Sequence, residues 1–311
     1  MNDKALRSGE LGRPFGGSGN GTGLGNVKLK AGKTGVVFMS RTILITGASS
    51  GIGKETAKLF ASRGWNVVAT TRAPAKEEEL VEIENVLVTR LDVTDPETIN
   101  AALSAAIAKF GKIDVLLNNA GYGAYGPLEA FPMDRIRRQF DTNVIGLLET
   151  TKAVLPHMRS QGSGTIVNIS SIGGQMTFPL GALYHGTKFA VEGISEALHY
   201  ELEAAGIKIK IVEPGMIATD FGGRSFDFVN DEAMTEYQPV VQALFGAWGS
   251  TEMAARASQP IVVAEVIYQA VTDGTATLRY RAGADAVELL DNRKALDDAS
   301  FIGGLKAQLG L

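Results

Sequence analysis

The sequence predicts an α/β fold, a doubly wound parallel sheet with helices on both faces, and three observations carry that expectation. Short apolar runs alternate with helix-length segments from residue 41 to about residue 300. Several of the runs are nearly all Val, Ile or Leu, as strands are when helices cover both faces of a parallel sheet. A glycine cluster separates the first run from the first amphipathic stretch.

In chain order, strand-like runs fall at 42–46, 66–71, 86–91, 113–118, 165–170, 207–213 and 277–281. Amphipathic or helix-length segments fall between them, at 52–63, 96–109, 144–160 and 182–205. Right-handed crossovers join such strands into one sheet. No Pro/Gly/Ser-rich linker and no internal repeat interrupts residues 41–300, so 39–311 reads as a single Rossmann-like domain, with 216–256 as a substrate-binding lid.

Residues 1–38 differ in kind. They hold ten glycines, six basic residues and two acidic ones, a composition that cannot bury enough surface to offset its ordering entropy. They are expected to be a disordered leader or a non-native extension. The chain of 311 residues is 45% apolar and 21% charged, with a net charge of −4, which points away from nucleic acid as a partner. It has no cysteine, which excludes disulfides, thiolate zinc sites and a cysteine nucleophile. No stretch has the roughly 18 uninterrupted apolar residues of a membrane span, nor does the start carry a secretory signal. A cytoplasmic protein without membrane contact is the expectation.

The cluster is Thr46-Gly47-Ala48-Ser49-Ser50-Gly51-Ile52-Gly53. Between a first strand and a first helix, such glycines let the backbone turn tightly and approach a pyrophosphate, which the helix N-terminus then receives. A dinucleotide site is therefore expected at Gly47, Ser49, Ser50, Gly51, Ile52 and Gly53. An NAD site usually places a carboxylate about 20 residues further on. Here the second strand ends in Thr70-Thr71-Arg72. A guanidinium can pair with a 2′-phosphate that a carboxylate would repel, so NADP(H) is preferred over NAD(H) with Arg72 as the anchor.

Further motifs follow in order: Leu91-Asp92-Val93, Asn118-Asn119-Ala120-Gly121, Asn143, Ser171, Tyr184 with Lys188, and Pro214-Gly215. Taken together with the glycine loop, they resemble the short-chain dehydrogenase/reductase family, in its single-domain branch, from about residue 39 to at least 221. The resemblance implies that Asp92 and Val93 hold the adenine. It implies that Asn118, Asn119, Ala120 and Gly121 line the cofactor, and that Pro214, Gly215 and Thr219 face the nicotinamide. Some NADP-dependent members carry a second basic residue where this chain has Ser50, leaving Arg72 as the main phosphate contact.

Tyr184 and Lys188 are four apart in a helix-forming stretch, so they share a face. A free tyrosine, with a pKa of about 10, is too weak a base at neutral pH, and an ammonium within about 4–6 Å favours the phenolate. Lys188 also has donors to spare for the nicotinamide ribose. Ser171, at the carboxyl end of the fifth strand run, could donate to a substrate oxygen beside the tyrosine. Asn143, which would begin the helix after the fourth run, is given by the resemblance a water of the proton relay. The expected catalytic set is Asn143, Ser171, Tyr184 and Lys188.

The expected activity is the interconversion of a ketone or aldehyde with an alcohol. The stretch Tyr122-Gly123-Ala124-Tyr125-Gly126-Pro127-Leu128-Glu129 resembles hydroxysteroid and retinol dehydrogenases. With the aromatic-rich lid (Phe221, Phe226, Phe228, Tyr237, Phe245, Trp248), it suggests a hydrophobic small molecule. Two other functions stay open: a 3-ketoacyl carrier reductase, with Arg135, Arg137 and Arg138 as docking residues, and a non-catalytic NADP(H) sensor. The three histidines (His157, His185, His199) lack ligand spacing, so no metal is expected. Glu77-Glu78-Glu79 reads as a solvated helix start. The helices near 144–160 and 182–203 are long enough to pair copies into a homodimer or homotetramer.

Overall fold

The computed structural model describes residues 40–219, 223 and 225–311; the expected leader and Phe221 lie outside the described residues. The strands are β1 (Thr42–Ile45), β2 (Asn66–Thr71), β3 (Val86–Arg90), β4 (Val115–Asn118), β5 (Gly123–Tyr125), β6 (Gly164–Ile169), β7 (Ile207–Pro214), β8 (Phe226–Phe228) and β9 (Arg279–Ala282). The helices are α1 (Gly51–Ser62), α2 (Pro96–Phe110), α3 (Met133–Phe140), α4 (Gly146–Gln161), α5 (Ala182–Glu203), α6 (Gln238–Trp248), α7 (Thr251–Arg256), α8 (Pro260–Thr272), α9 (Ala284–Ala295) and α10 (Asp298–Leu309).

Seven strands form one parallel sheet in the order β3-β2-β1-β4-β6-β7-β9, the doubly wound arrangement the sequence predicts. Every residue of β1 and β4 is buried, which is why those runs are apolar throughout. Phe60, Trp65 and Tyr268 pack edge to face under one side of the sheet, against α1 and α8. Ile99, Leu103, Val154 and Met158, from α2 and α4, fill the other. Local signals set the helix ends: Asp95 accepts from the amides of Glu97 and Thr98 at the head of α2, and Gly111 closes it at φ 80°.

The chain crosses from one face to the other between β1 and β4, and that switch point is where such sheets bind ligands. A two-stranded parallel ribbon, β5 with β8, joins the loop after β4 to the segment between β7 and α6. Arg135 of α3 reaches Asp227 of β8 at 3.2 Å, and Arg138 lies 3.9 Å from the same carboxylate. Two of the three arginines expected to dock a carrier are thus engaged with β8.

The reading of the sequence departs from the structure in several places. Asn143 does not begin a helix: α3 runs into α4 through a π-helical turn at Asp141–Ile145, and Asn143 sits inside it. α3 lies outside the helix-length segments expected between the strand runs, because its fully buried side is the single residue Gln139. α8 lies outside them as well; its Val and Ile content looks strand-like although its buried Val263, Ala264, Ile267 and Ala270 keep helical spacing. Glu77 is not a solvated helix start. It is buried, accepts from the Glu79 and Leu80 amides and pairs with Lys54 at 3.1 Å. Glu79, bound by Lys54 and Lys58, is held down to about 2.

Candidate functional site

A cleft of about 950 Å³ opens at the carboxyl edge of the sheet. Gly47, Ser49, Ser50, Gly51 and Ile52 line one end, with Arg72, Asp92 and Val93 beyond them. Asn119, Ala120 and Gly121 lie centrally, and Ser171, Tyr184, Lys188, Pro214, Gly215 and Thr219 line the other half. Of the expected catalytic and cofactor residues, only Gly53, Asn118 and Asn143 do not line it.

The glycine loop owes its shape to backbone geometry. Gly47 and Gly51 take φ of +71° and +55°, values that L side chains rarely adopt. Thr46, buried at the end of β1, accepts through its hydroxyl from the amides of Asn119 and Ala120, both at 3.0 Å. The Asn119 amide donates to the carbonyls of Thr46 and Gly47 at 2.9 and 3.0 Å. These bonds staple the loop after β1 to the loop after β4. Gly53 has a packing role, because a Cβ there would press on the Gly47 carbonyl and come 2.6 Å from the Asn119 amide nitrogen. Ser50 makes no side-chain cap on α1, and the first turn holds no acid, so its free amides and positive dipole end face the cleft. Arg72 is exposed at the rim and forms no ion pair with a described residue.

These features fit a dinucleotide: uncapped helix amides for a pyrophosphate, a cradle that a Cβ would fill, and a free guanidinium at the end of β2.

In the other half, Tyr184 and Lys188 lie one turn apart on α5, with the Lys188 Nζ 5.7 Å from the centre of the Tyr184 ring. Nζ also donates to the Ile169 carbonyl at 2.8 Å. Ser171 lines the cleft beside Tyr184, and its Oγ accepts from the Gly173 amide at 3.0 Å. Burial raises the phenol above its usual value, and the neighbouring Ser171 hydroxyl offsets part of this. The sequence led us to expect a phenol made acidic by its lysine. Within this chain, withdrawal from water is the larger influence. Burial lowers Lys188 to about 8 against the opposing pull of Glu192, so its ammonium is mostly charged at neutral pH.

The side chain of Asn143 is fully engaged in bonds to the loop after β4 and to α5. Its Oδ1 accepts from the Tyr122 amide at 3.1 Å, while its Nδ2 donates to the Tyr122 carbonyl at 2.9 Å and to the Thr187 hydroxyl at 3.1 Å. Thr187 donates in turn to the Tyr184 carbonyl at 2.7 Å, so Asn143 ties α5 to the loop after β4. Asn143→Ala removes the bonds to the half-buried Tyr122 backbone and to Thr187, and it should cost about 1–3 kcal/mol of stability in denaturant unfolding. A variant with wild-type stability would contradict this clamp. Asn118 is likewise structural, donating to Thr151 and Asn168 in the interior.

Among the neighbours of the site, the sequence did not single out Phe178 or Leu180. His185 is buried yet lines the cleft. Its Nδ1 lies 3.0 Å from the Gly173 carbonyl, and its Nε2 accepts from the Phe178 amide at 2.9 Å. Tyr125 packs 5.6 Å from Tyr184 and touches Phe226 and Trp248 at 5.5 and 5.1 Å, continuing into Phe228 and Phe245. Leu180, at φ 62°, is the one described non-glycine residue in the left-handed region, just ahead of α5.

Comparisons with known proteins agree with this geometry. The family model for short chain dehydrogenases matches residues 41–229. An uncharacterized oxidoreductase of Schizosaccharomyces pombe is 45% identical over 245 residues, covering 77% of this chain and 100% of that one. The 3-ketodihydrosphingosine reductase of Bacteroides thetaiotaomicron is 44% identical over 58% of this chain and 65% of its own. Human retinol dehydrogenase 8 is 40% identical over 59% and 61%. Among solved structures, a short-chain dehydrogenase from Streptomyces avermitilis superposes with a TM-score of 0.73 at 34% identity, covering 87% of this chain and 98% of that one. ElxO with NADP bound gives 0.67 at 30%, over 80% and 100%. A 3-ketoacyl-(acyl-carrier-protein) reductase from Brucella melitensis complexed with NADH gives 0.67 at 25%, over 79% and 98%. The chain belongs to the short-chain dehydrogenase family and is an oxidoreductase of that kind. None of the described helices is long and apolar enough to cross a membrane.

Proposed function

We propose that this protein is an NADP(H)-dependent oxidoreductase interconverting a ketone or aldehyde with an alcohol on a hydrophobic small molecule. The observation that carries the reading is that Ser171, Tyr184 and Lys188 line one cleft together with the glycine loop, with the Lys188 ammonium 5.7 Å from the Tyr184 ring. The nicotinamide, when bound, supplies or takes up the hydride. Gly47, Ser49, Ser50, Gly51 and Ile52 would receive the pyrophosphate, Asp92 and Val93 the adenine, and Pro214, Gly215 and Thr219 the nicotinamide.

Tyr184 gives its phenolic proton to the carbonyl oxygen, and Ser171 donates a second hydrogen bond to the same oxygen. A phenol raised by burial rests protonated, which favours carbonyl reduction. Lys188 favours the phenolate left behind, because its charge is close and poorly screened. The aromatic wall of Tyr125, Phe226, Phe245 and Trp248 excludes water and suits an apolar substrate. Exposed Ile145, Phe189 and Tyr200, in or beside α4 and α5, support pairing of copies into a dimer or tetramer.

A panel of steroids, retinoids, aliphatic ketones and sugars, each offered with NADPH or NADH at equal concentration, tests this reading. Turnover should favour the apolar ketones with NADPH, whereas turnover of sugars alone would overturn the substrate class. Arg72→Ala should weaken NADPH binding about tenfold or more, the worth of a charged hydrogen bond, and leave NADH binding nearly unchanged. Equal losses for the two cofactors would refute Arg72 as the phosphate anchor.

A further inference from the structure

Glu192 and Glu213 lie side by side beneath the site, 6% and 0% exposed. Glu192 is one turn beyond Lys188 on α5, and Glu213 directly precedes Pro214-Gly215 in β7. Both face a single shared cation: Arg279 Nε is 2.9 Å from Glu192 Oε2 and 3.7 Å from Glu213 Oε1. The same guanidinium also serves Glu196 at 2.6 Å, while neighbouring Arg281 is engaged by Asp291 at 2.6 Å. Gln175, in the turn after Ser171, donates to Glu213 Oε1. Ser170 faces Glu192, and a Cβ on Gly174 would strike both of them and the Lys188 carbonyl.

One oxygen of each acid, Glu192 Oε1 and Glu213 Oε2, is buried with no hydrogen-bond partner among the described residues, although the two side chains are in contact. Two ionised carboxylates would repel each other there, and neither can donate. A single proton between them satisfies both oxygens.

We propose that Glu192 and Glu213 share one proton and act as positioning residues, joining α5, the end of β7 and the turn after Ser171, so that the charge on Lys188 follows the state of the pair. Burial, followed by the Glu192 charge, raises Glu213 to about 7, so the pair gives up its proton near neutral pH. The second negative charge then holds the Lys188 ammonium more firmly. The other charged groups around the pair are Arg279 and Arg281 on β9, Lys188 and Glu196 on α5, and Asp285 and Asp291 on α9. Asp285 contacts Gly215 and accepts from the Met216 amide at 2.6 Å.

The sign for stability follows. A carboxyl raised in the folded state stabilises fully below its ordinary 4.5, and it loses that contribution as pH climbs through about 7. The difference in unfolding free energy between wild type and Glu213→Gln should shrink over that interval.

The proton itself is visible without any activity. Infrared difference spectra of the wild-type protein, titrated between about pH 5 and 8, should show one protonated carboxyl band that disappears near neutrality and is missing in Glu213→Gln. Glu192→Gln serves if that variant does not fold. The second half of the proposal rests on the reading of Lys188 given above. In the pH profiles of kcat/KM and of NADPH binding, Glu213→Gln should lose the neutral ionisation and move the Lys188 limb down by about one unit, a tenfold change in its protonation ratio. Absence of the carboxyl band, or unaltered profiles in both variants, overturns the proposal. A band that behaves as expected in a protein with no carbonyl turnover sinks the proposed reaction and leaves the shared proton standing.

Discussion

Tyr184→Phe should lower kcat with any accepted ketone by about 10²- to 10⁴-fold, the range for removing a positioned general acid, while the Kd for NADPH stays close to wild type. The substitution deletes one hydroxyl. It leaves the ring in its packing against Tyr125 and His185 and leaves Lys188 bonded to the Ile169 carbonyl. Fluorescence titration of NADPH beside steady-state turnover separates the two effects. Retained turnover would show that the proton comes from another group, and lost cofactor binding would show that the phenol holds the dinucleotide instead.

Gly53→Ala should be nearly as damaging by a different route. The added methyl meets the Gly47 carbonyl and the Asn119 amide, where Gly47 already holds φ +71° and Asn119 staples the two loops. Overpacking of about 1–3 kcal/mol is expected, with about 1 kcal/mol more for each staple bond displaced. A loop shifted by an ångström should weaken productive NADPH use on the order of 10²-fold. Gly193→Ala is the control, since nothing lies within 4 Å of a Cβ there and α5 is helical at that point. It should be neutral or stabilising by about 0.5–1 kcal/mol. Indistinguishable unfolding curves for the two variants would refute the close-packing account of Gly53.

Much of this was legible in the residues because it depends on local pattern. The apolar runs of β1 and β4 announce a sheet covered on both faces. The glycines announce a turn against a helix N-terminus, and Tyr184 and Lys188 share a face by spacing alone. The parts that stayed hidden depend on contacts far apart in the chain. That Asn143 would spend its amide on the Tyr122 backbone, or that Thr46 would hold Asn119 and Ala120, required knowing which loops meet. Glu77 lies in a run of charge that normally marks solvent, and only the approach of Lys54 from α1 explains its burial. Glu213 left one usable sign, an acid closing a strand whose remaining positions toward the sheet are apolar. The direction of the Tyr184 shift could not be read from spacing either. Spacing brings the lysine near but says nothing of how much water the fold removes from the phenol.

The most direct measurement follows the transferred atom. The protein is given NADPH carrying deuterium at the transferable C4 position, together with an apolar ketone, and the alcohol formed is examined by mass spectrometry and NMR. The account predicts one deuterium on the carbinol carbon, with NADPH consumed in equal amount. Alcohol formed without the label, or NADPH left untouched across the whole panel of ketones, would contradict it.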